Sequence, residues 1–399
     1  MLRVSAPTPS RTLPVIVLAQ FCCTSLWFAG NAIAPDLAAR LQQPAAFVAH
    51  LTSAVQLGFI TGTLTFALLA VADRFSPSRV FGLCALAAAA CNLGLLLPAA
   101  GNLLVCRFLT GFFLAGIYPV GMKIAADYAP AGLGKWLGFL VGALVLGTAF
   151  PHLLKSGAVR LPWQLVPGAT SALATLGGLA LWQLVPDGPY RRAGQGLHLT
   201  AFLSGFRLPG FRAAAFGYFG HMWELYTFWA FVPLLLTSYN QAHPGAALPV
   251  AGWSFGLIGA GAVACVGSGL LSRRVAPRRL ALTALALSGL CCLVSPWVLS
   301  SASAAVLLGF LLFWGLVVVA DSPMFSSLVA QNAPDATRGT ALTIVNCLGF
   351  ALTIVSIQVT GWLAGRVPTT YLLVGLTAGP LLGLLAQLGH TQRAASAPR

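Results

Sequence analysis

Twelve apolar stretches, each about 20 residues long, leave this chain few folds to choose from. They lie at about 13–34, 47–71, 80–99, 103–128, 135–155, 165–186, 212–237, 250–271, 280–299, 304–330, 340–363 and 369–388. A helix needs about 20 apolar residues to cross a bilayer's hydrocarbon core. Inside lipid every backbone polar group must be satisfied within the segment or in a closed barrel. The predicted class is therefore an all-α membrane protein with 12 transmembrane helices. Charged residues make up only 7% of the chain and mean hydropathy is +0.86, whereas a water-soluble surface uses about 25% charged residues. The net charge of +15 is not accompanied by an arginine-rich recognition face, so no nucleic-acid partner is expected. The run from Leu13 to Ala34 follows Arg3 and Arg11 as a signal peptide would. It is too long for an h-region of about 7–15 residues and reads as a first, uncleaved helix.

The chain also repeats itself. RFLTGFFLAGIYPVGMKIAADYAP at 107–130 returns in diluted form as LLFWGLVVVADSPMFSSLVAQNAP at 311–334. An offset of 204 places Gly111 on Gly315, Pro119 on Pro323 and Ala129-Pro130 on Ala333-Pro334. A second echo, at an offset of 200, sets the Asp73–Arg79 turn against Arg273–Arg279. Two echoes at nearly one offset imply a duplicated half, and the long connection at 187–211 divides the chain into two six-helix repeats. The expected organisation is a tail at 1–12, one half at 13–186, a linker at 187–211 holding Asp187, Arg191, Arg192 and Arg207, a second half at 212–388 and a tail at 389–399.

Lys and Arg set the expected orientation. With the N-terminus inside, inner loops and tails carry 16 of them and outer loops carry four, namely Arg40, Lys155, Arg160 and Arg366. Both termini are then cytoplasmic, and the expected location is a bacterial inner membrane. All nine cysteines sit in apolar runs without metal-ligand spacing, so they read as small buried residues and no metal is expected.

Twelve helices in two parallel repeats with a basic middle loop resemble the major facilitator superfamily. The resemblance covers nearly the whole chain. Its most specific residues are Asp73, Arg74 and Arg79, against the family pattern G-x-x-x-D-R-x-G-R-[RK]; Leu69 stands in the glycine's place and Ser76-Pro77-Ser78 departs from the rest. Arg107 and Gly111 match the family's R-x-x-x-G in helix four. The antiporter signature of helix five is partial: Gly138 and Gly142 match, Ala143 replaces the proline and Gly147 comes one place late. The resemblance implies a secondary transporter whose two repeats surround a central cavity lined by helices 1, 4, 7 and 10, and associates Arg107 with proton coupling.

Charge in a bilayer core is costly and needs a reason. Of seven acids, only Glu224 and Asp321 fall near the middle of predicted helices. Glu224 has His221 at i−3, on one helical face, with Trp223, Tyr226 and Trp229 around it. That acid is a candidate for proton coupling or substrate binding; it could equally bond a neighbouring helix and fix packing. Asp321 precedes Ser322-Pro323, an expected break in helix ten, where it could bind a proton or cation or cap the next segment. Arg107 must meet a carboxylate, carbonyls or an anion, or snorkel to the interface. Tyr118 lies on its face in helix four.

Helix one carries the stripe Gln20, Thr24, Trp27 and Asn31; helix two carries Gln56; helix eleven carries Asn346; helix ten carries Trp314. Such stripes face protein or a wet cavity. Asp73, Arg74, Lys123, Asp127 and Arg338 form a second group near the cytoplasmic ends, expected to hold one access state and break on switching. Lys123 and Asp127 could also pair only with each other.

The expected function is secondary active transport of a small solute, with a coupling proton, by a monomer in the lipid bilayer. No cofactor is expected. No P-loop, H-E-x-x-H or G-x-S-x-G appears, which argues against ATP drive and against an intramembrane enzyme. Short tails argue against a non-transporting sensor. A drug or metabolite exporter of the same fold stays open.

Overall fold

The computed structural model describes residues 12–44, 46–97, 99–128, 133–156, 162–191, 205–301, 303–334 and 338–395; for 133–135, 301 and 388–395 it describes the backbone alone. The tails at 1–11 and 396–399, the linker stretch 192–204 and the repeat's Ala129-Pro130 lie outside the described residues. The described residues are nearly all helical. Among the described residues, ten helices are long and apolar enough to cross a membrane, so this is an integral multi-pass protein.

Numbered by the sequence windows, span two is Phe47–Leu68, three is Pro77–Asn92, five is Leu133–Lys155, six is Leu165–Leu184, eight is Val250–Leu271, nine is Pro277–Ser301 and eleven is Arg338–Leu363. Span twelve opens with two short 3-10 turns and continues as Ala378–Ala395. Span four is broken into Ala100–Leu114 and Tyr118–Tyr128, and span ten into Ala304–Ala320 and Ser322–Asn332. Two windows fall outside the ten. Span seven is one 34-residue helix, Pro209–Ala242, too rich in polar and aromatic residues to pass on hydropathy. Span one is a 13-residue helix, Thr12–Thr24, followed by short turns at Ala29–Ala32 and Ala34–Arg40.

The sequence marks these ends locally. Proline sits in the first turn of spans three and seven and of the second segment of span ten, where its missing N–H costs nothing and its fixed φ suits a helix. Ala70, in the left-handed region at φ 50°, stops span two.

The packing repeats between the halves. Span one packs on five and six as span seven packs on eleven and twelve; span four packs on two and three as ten packs on eight and nine. The halves meet where five lies along eight and where two lies along eleven, an exchange of equivalents. Glycines make the approach possible. A Cβ on Gly111 would stand 1.9 Å from the Val55 carbonyl oxygen, and one on Gly315 would stand 2.3 Å from that of Leu257. Pro119 and Pro323 each fall on the second residue of the segment after a break.

Candidate functional site

The two mid-helix acids are both buried, and they turn to different partners. Glu224 points between spans nine and ten. Ser288 Oγ donates to its Oε2 at 2.9 Å, and Trp314 Nε1 donates to its Oε1 at 2.6 Å. Trp314 is held in turn by Phe228 and Phe310, with ring centroids at 4.7 and 5.6 Å. Asp321 takes its place at the break in span ten because Pro323 has no N–H for the carbonyl of residue 319. That carbonyl is met instead by the Cys265 thiol of span eight at 3.4 Å. The Asp321 side chain makes no cap bond to the following segment. It lies 2.7 Å from His221 Nδ1, at ion-pair distance. His221 Nε2 and Asp321 Oδ2 have no hydrogen-bond partner, although both residues are buried. His221 and Glu224 therefore share a helix but serve separate clusters.

Between the halves lies an aromatic block. Trp27 stacks on Phe350 at 5.6 Å and touches Phe59 at 4.9 Å and Tyr226 at 5.8 Å; Phe28 and Trp229 close its side. Spans one, two, seven and eleven all contribute. Beside it, buried amides stand without partners: both amide atoms of Gln20 and of Gln56, with the Oδ1 atoms of Asn31 and Asn346. Gln20 faces span four, where a Cβ on Gly121 would come 2.5 Å from its Oε1. Asn31 Nδ2 donates to Thr52 at 2.8 Å. Tyr118 is buried. Unpaired buried amides are costly, and aromatic side chains with a few convergent polar groups are the usual lining of a small-molecule site.

Arg107 is fully buried and does not snorkel. Its Nη1 donates to the Leu26 carbonyl at 3.0 Å and to Asn92 Oδ1 at 3.2 Å, and its Nη2 donates to the Trp27 carbonyl. These carbonyls belong to the Ser25–Phe28 turn that interrupts span one. The guanidinium thus clips the broken span to span four. Asn92 completes the clip, its Nδ2 reaching Pro167, Thr170 and Ser171 of span six.

The charges at the far end gather within the first half. Lys123 Nζ meets Asp73 Oδ1 at 3.0 Å. Arg191 donates to the Asp73 and Phe75 carbonyls and pairs with Asp187, which accepts from Ser76. Asp127 is buried next to Gly188, and its backbone carbonyl accepts from the Tyr190 N–H at 3.1 Å. Arg74 and Arg338 are exposed. At the opposite end Lys155 pairs with Asp36 at 2.7 Å.

A family model described as Major Facilitator Superfamily matches residues 16–357. The chain belongs to the major facilitator superfamily. No curated protein matches the sequence. Among solved structures it is similar to the human organic anion transporter MFSD10 (TETRAN), at 16% identity and TM-score 0.71 over 96% of this chain and 100% of that one. A bacterial homologue of the human lysosomal transporter Spinster, inward-facing and occupied, matches at 15% identity and TM-score 0.70 over 98% of each chain. The proton:xylose symporter XylE, bound to 6-bromo-6-deoxy-D-glucose, matches at 14% identity and TM-score 0.71 over 95% of this chain and 96% of that one. At these identities the likeness is one of fold.

Within this member of the superfamily, sequence reasoning passed over Ser288, Asn92 and Phe59 as a site wall. Asn92 had a signal: it is the one amide in the long apolar run at 80–99. Ser288 had none, since a lone serine in a membrane helix looks the same whether or not an acid lies opposite.

Proposed function

We propose that this superfamily member is a proton-coupled secondary active transporter that alternates access by rocking two six-span halves about the aromatic seam. The observation that carries the reading is the His221–Asp321 contact. It is a buried ionisable pair at a helix break, with one nitrogen and one oxygen unpartnered, and intramembrane charges of this kind mark ion and proton paths. Protonation of Asp321 would release His221, and the pair could then load a proton from one side and lose it to the other. Glu224, with both oxygens occupied, is the second acid and the tie between spans seven, nine and ten.

The arrangement favours one class of solute. Both Nη atoms of Arg107 are engaged by span one and Asn92, so an anion would meet a guanidinium already largely committed. Trp27, Tyr226 and Phe350 offer flat apolar walls, and Gln20, Gln56, Asn31 and Asn346 offer hydrogen bonds. A small amphiphilic solute, neutral or cationic, fits those walls. Under the same reading the organisation is 1–12, 13–186, 187–211, 212–388 and 389–399, with both termini cytoplasmic, in a bacterial inner membrane, the protein working as a monomer. The Asp73–Lys123 bond then lies at the cytoplasmic end and acts as a gate.

Purified protein screened by thermal shift against small solutes should yield a stabilising compound. In proteoliposomes holding a pH-sensitive dye, that compound should enter together with protons and accumulate under an imposed pH gradient. Solute flux with no proton movement would overturn the coupling.

A further inference from the structure

A cleft of about 460 Å³ opens between spans nine and twelve, well away from the seam. Its walls are Arg278 and Arg279 at the start of span nine, with Leu282, Leu381, Leu384, Leu385 and Gln387. We infer that this cleft binds the headgroup of one anionic phospholipid, with its acyl chains running over the leucines.

Four observations carry this. The first is charge. The internal repeat sets Arg273 on Asp73, and Ser327 on Lys123. Where the first half balances a basic turn with the Asp73–Lys123 bond, the second half has four arginines, 273, 274, 278 and 279. No acid occurs between Glu224 and Asp321 in the sequence, and none lines the cleft. A lipid phosphate supplies the missing negative charge. The second is pre-organisation. Arg278 Nε donates to Gln387 Oε1 at 3.2 Å and its Nη2 to the Gln387 carbonyl at 3.3 Å, while Gln387 Nε2 donates to the Ala213 carbonyl at 2.7 Å. The guanidinium is thus anchored at the cleft wall through a buried amide, and a planar guanidinium suits phosphate. The third is the apolar part. Leu381 and Leu385 are about half exposed, 53% and 51%, on a helix whose outer side meets lipid. A free inorganic phosphate would have no use for four leucines. The fourth is place. In the orientation proposed above, the start of span nine and the end of span twelve lie at the cytoplasmic leaflet, where basic pockets between spans recruit anionic headgroups.

The test is lipid retention by the intact protein in native mass spectrometry. With dioleoylphosphatidylglycerol as probe, one molecule should stay bound at concentrations where dioleoylphosphatidylcholine does not. Arg279 is exposed and its replacement should not disturb folding. Arg279→Gln should weaken retention about five-fold, and Arg278→Gln with Arg279→Gln about 25-fold, as expected for roughly 1 kcal/mol per basic residue near a membrane surface. Arg366→Gln, on the turn after span eleven, should change nothing. Equal retention of the two lipids, or retention unchanged in Arg279→Gln, would overturn the inference. Displacement of the lipid by excess inorganic phosphate would also overturn it, because the site would then read the anion alone.

Discussion

At the residue scale, the two mid-span acids of the second half have unequal freedom. Glu224 accepts from Trp314 and Ser288, and Gln at that position keeps an acceptor for the indole. Asp321 has one open oxygen and a histidine at ion-pair distance from the other. Asp321→Asn should therefore abolish uphill accumulation in proteoliposomes while leaving downhill exchange, whereas Glu224→Gln should keep accumulation within a few-fold. The reverse ranking would move the coupling role to Glu224. Both acids are legible in the sequence because an isolated charge in an apolar run has few explanations. Their partners are not, because Ser288 and Trp314 lie 64 and 90 residues away from Glu224 along the chain and have no spacing to betray them. The same holds for Arg107. The sequence shows that it needs a counterpart; that the counterpart is a turn 80 residues earlier follows only from the fold. Arg107→Ala should leave the Trp27 carbonyl and Asn92 without their cationic donor. Thermal unfolding in detergent should show a loss of about 3 kcal/mol, the upper range for a buried hydrogen bond to a charged group.

At the scale of elements, the repeat is the most legible feature, and the structure gives its reason. Gly111 and Gly315 match at the 204 offset because each lets a carbonyl of the neighbouring span come close enough to exclude a side chain, Val55 in one half and Leu257 in the other. Pro119 and Pro323 match because each begins a segment after a break. The break in span one is not legible, since Ser25, Leu26, Trp27 and Phe28 include neither Gly nor Pro. What holds it is tertiary. A pair of substitutions in one helix separates close packing from propensity. Gly315→Ala should cost about 1–3 kcal/mol in thermal unfolding, as overpacking does. Gly309→Ala, where nothing lies within 4 Å of the added carbon, should be neutral or slightly stabilising. Equal losses at both positions would mean that the eight–ten crossing is looser than the distances imply.

At the scale of the whole molecule, the two halves are joined along spans two and eleven by very few polar contacts among the described residues. Gln358 of span eleven donates through Nε2 to Ser53 Oγ at 2.8 Å and to the Ala49 carbonyl at 3.2 Å, and a Cβ on Gly361 would stand 2.7 Å from that of Ala49. These contacts lie toward the end that the charge pattern makes the outer one. Under the rocking proposed above, solute enters from that side only when they part, and Gln358 would then act as a latch on the outer closure. Each hydrogen bond contributes about 1 kcal/mol net, and two of them bias the equilibrium by about 2 kcal/mol, close to thirty-fold. Gln358→Leu keeps the side chain's bulk and removes both bonds. It should raise the population open to the outside by ten- to thirty-fold and leave the His221–Asp321 pair untouched. An Ala49→Cys reporter labelled by a membrane-impermeant maleimide reads that population directly, since the native cysteines are all buried or half-buried. Labelling should quicken by the same factor in Gln358→Leu, while Asp73→Asn, which breaks the bond to Lys123 at the other end, should slow transport with little change in solute affinity. An unchanged labelling rate at position 49 would mean that glycine packing along spans two and eleven, rather than Gln358, holds the outer side shut.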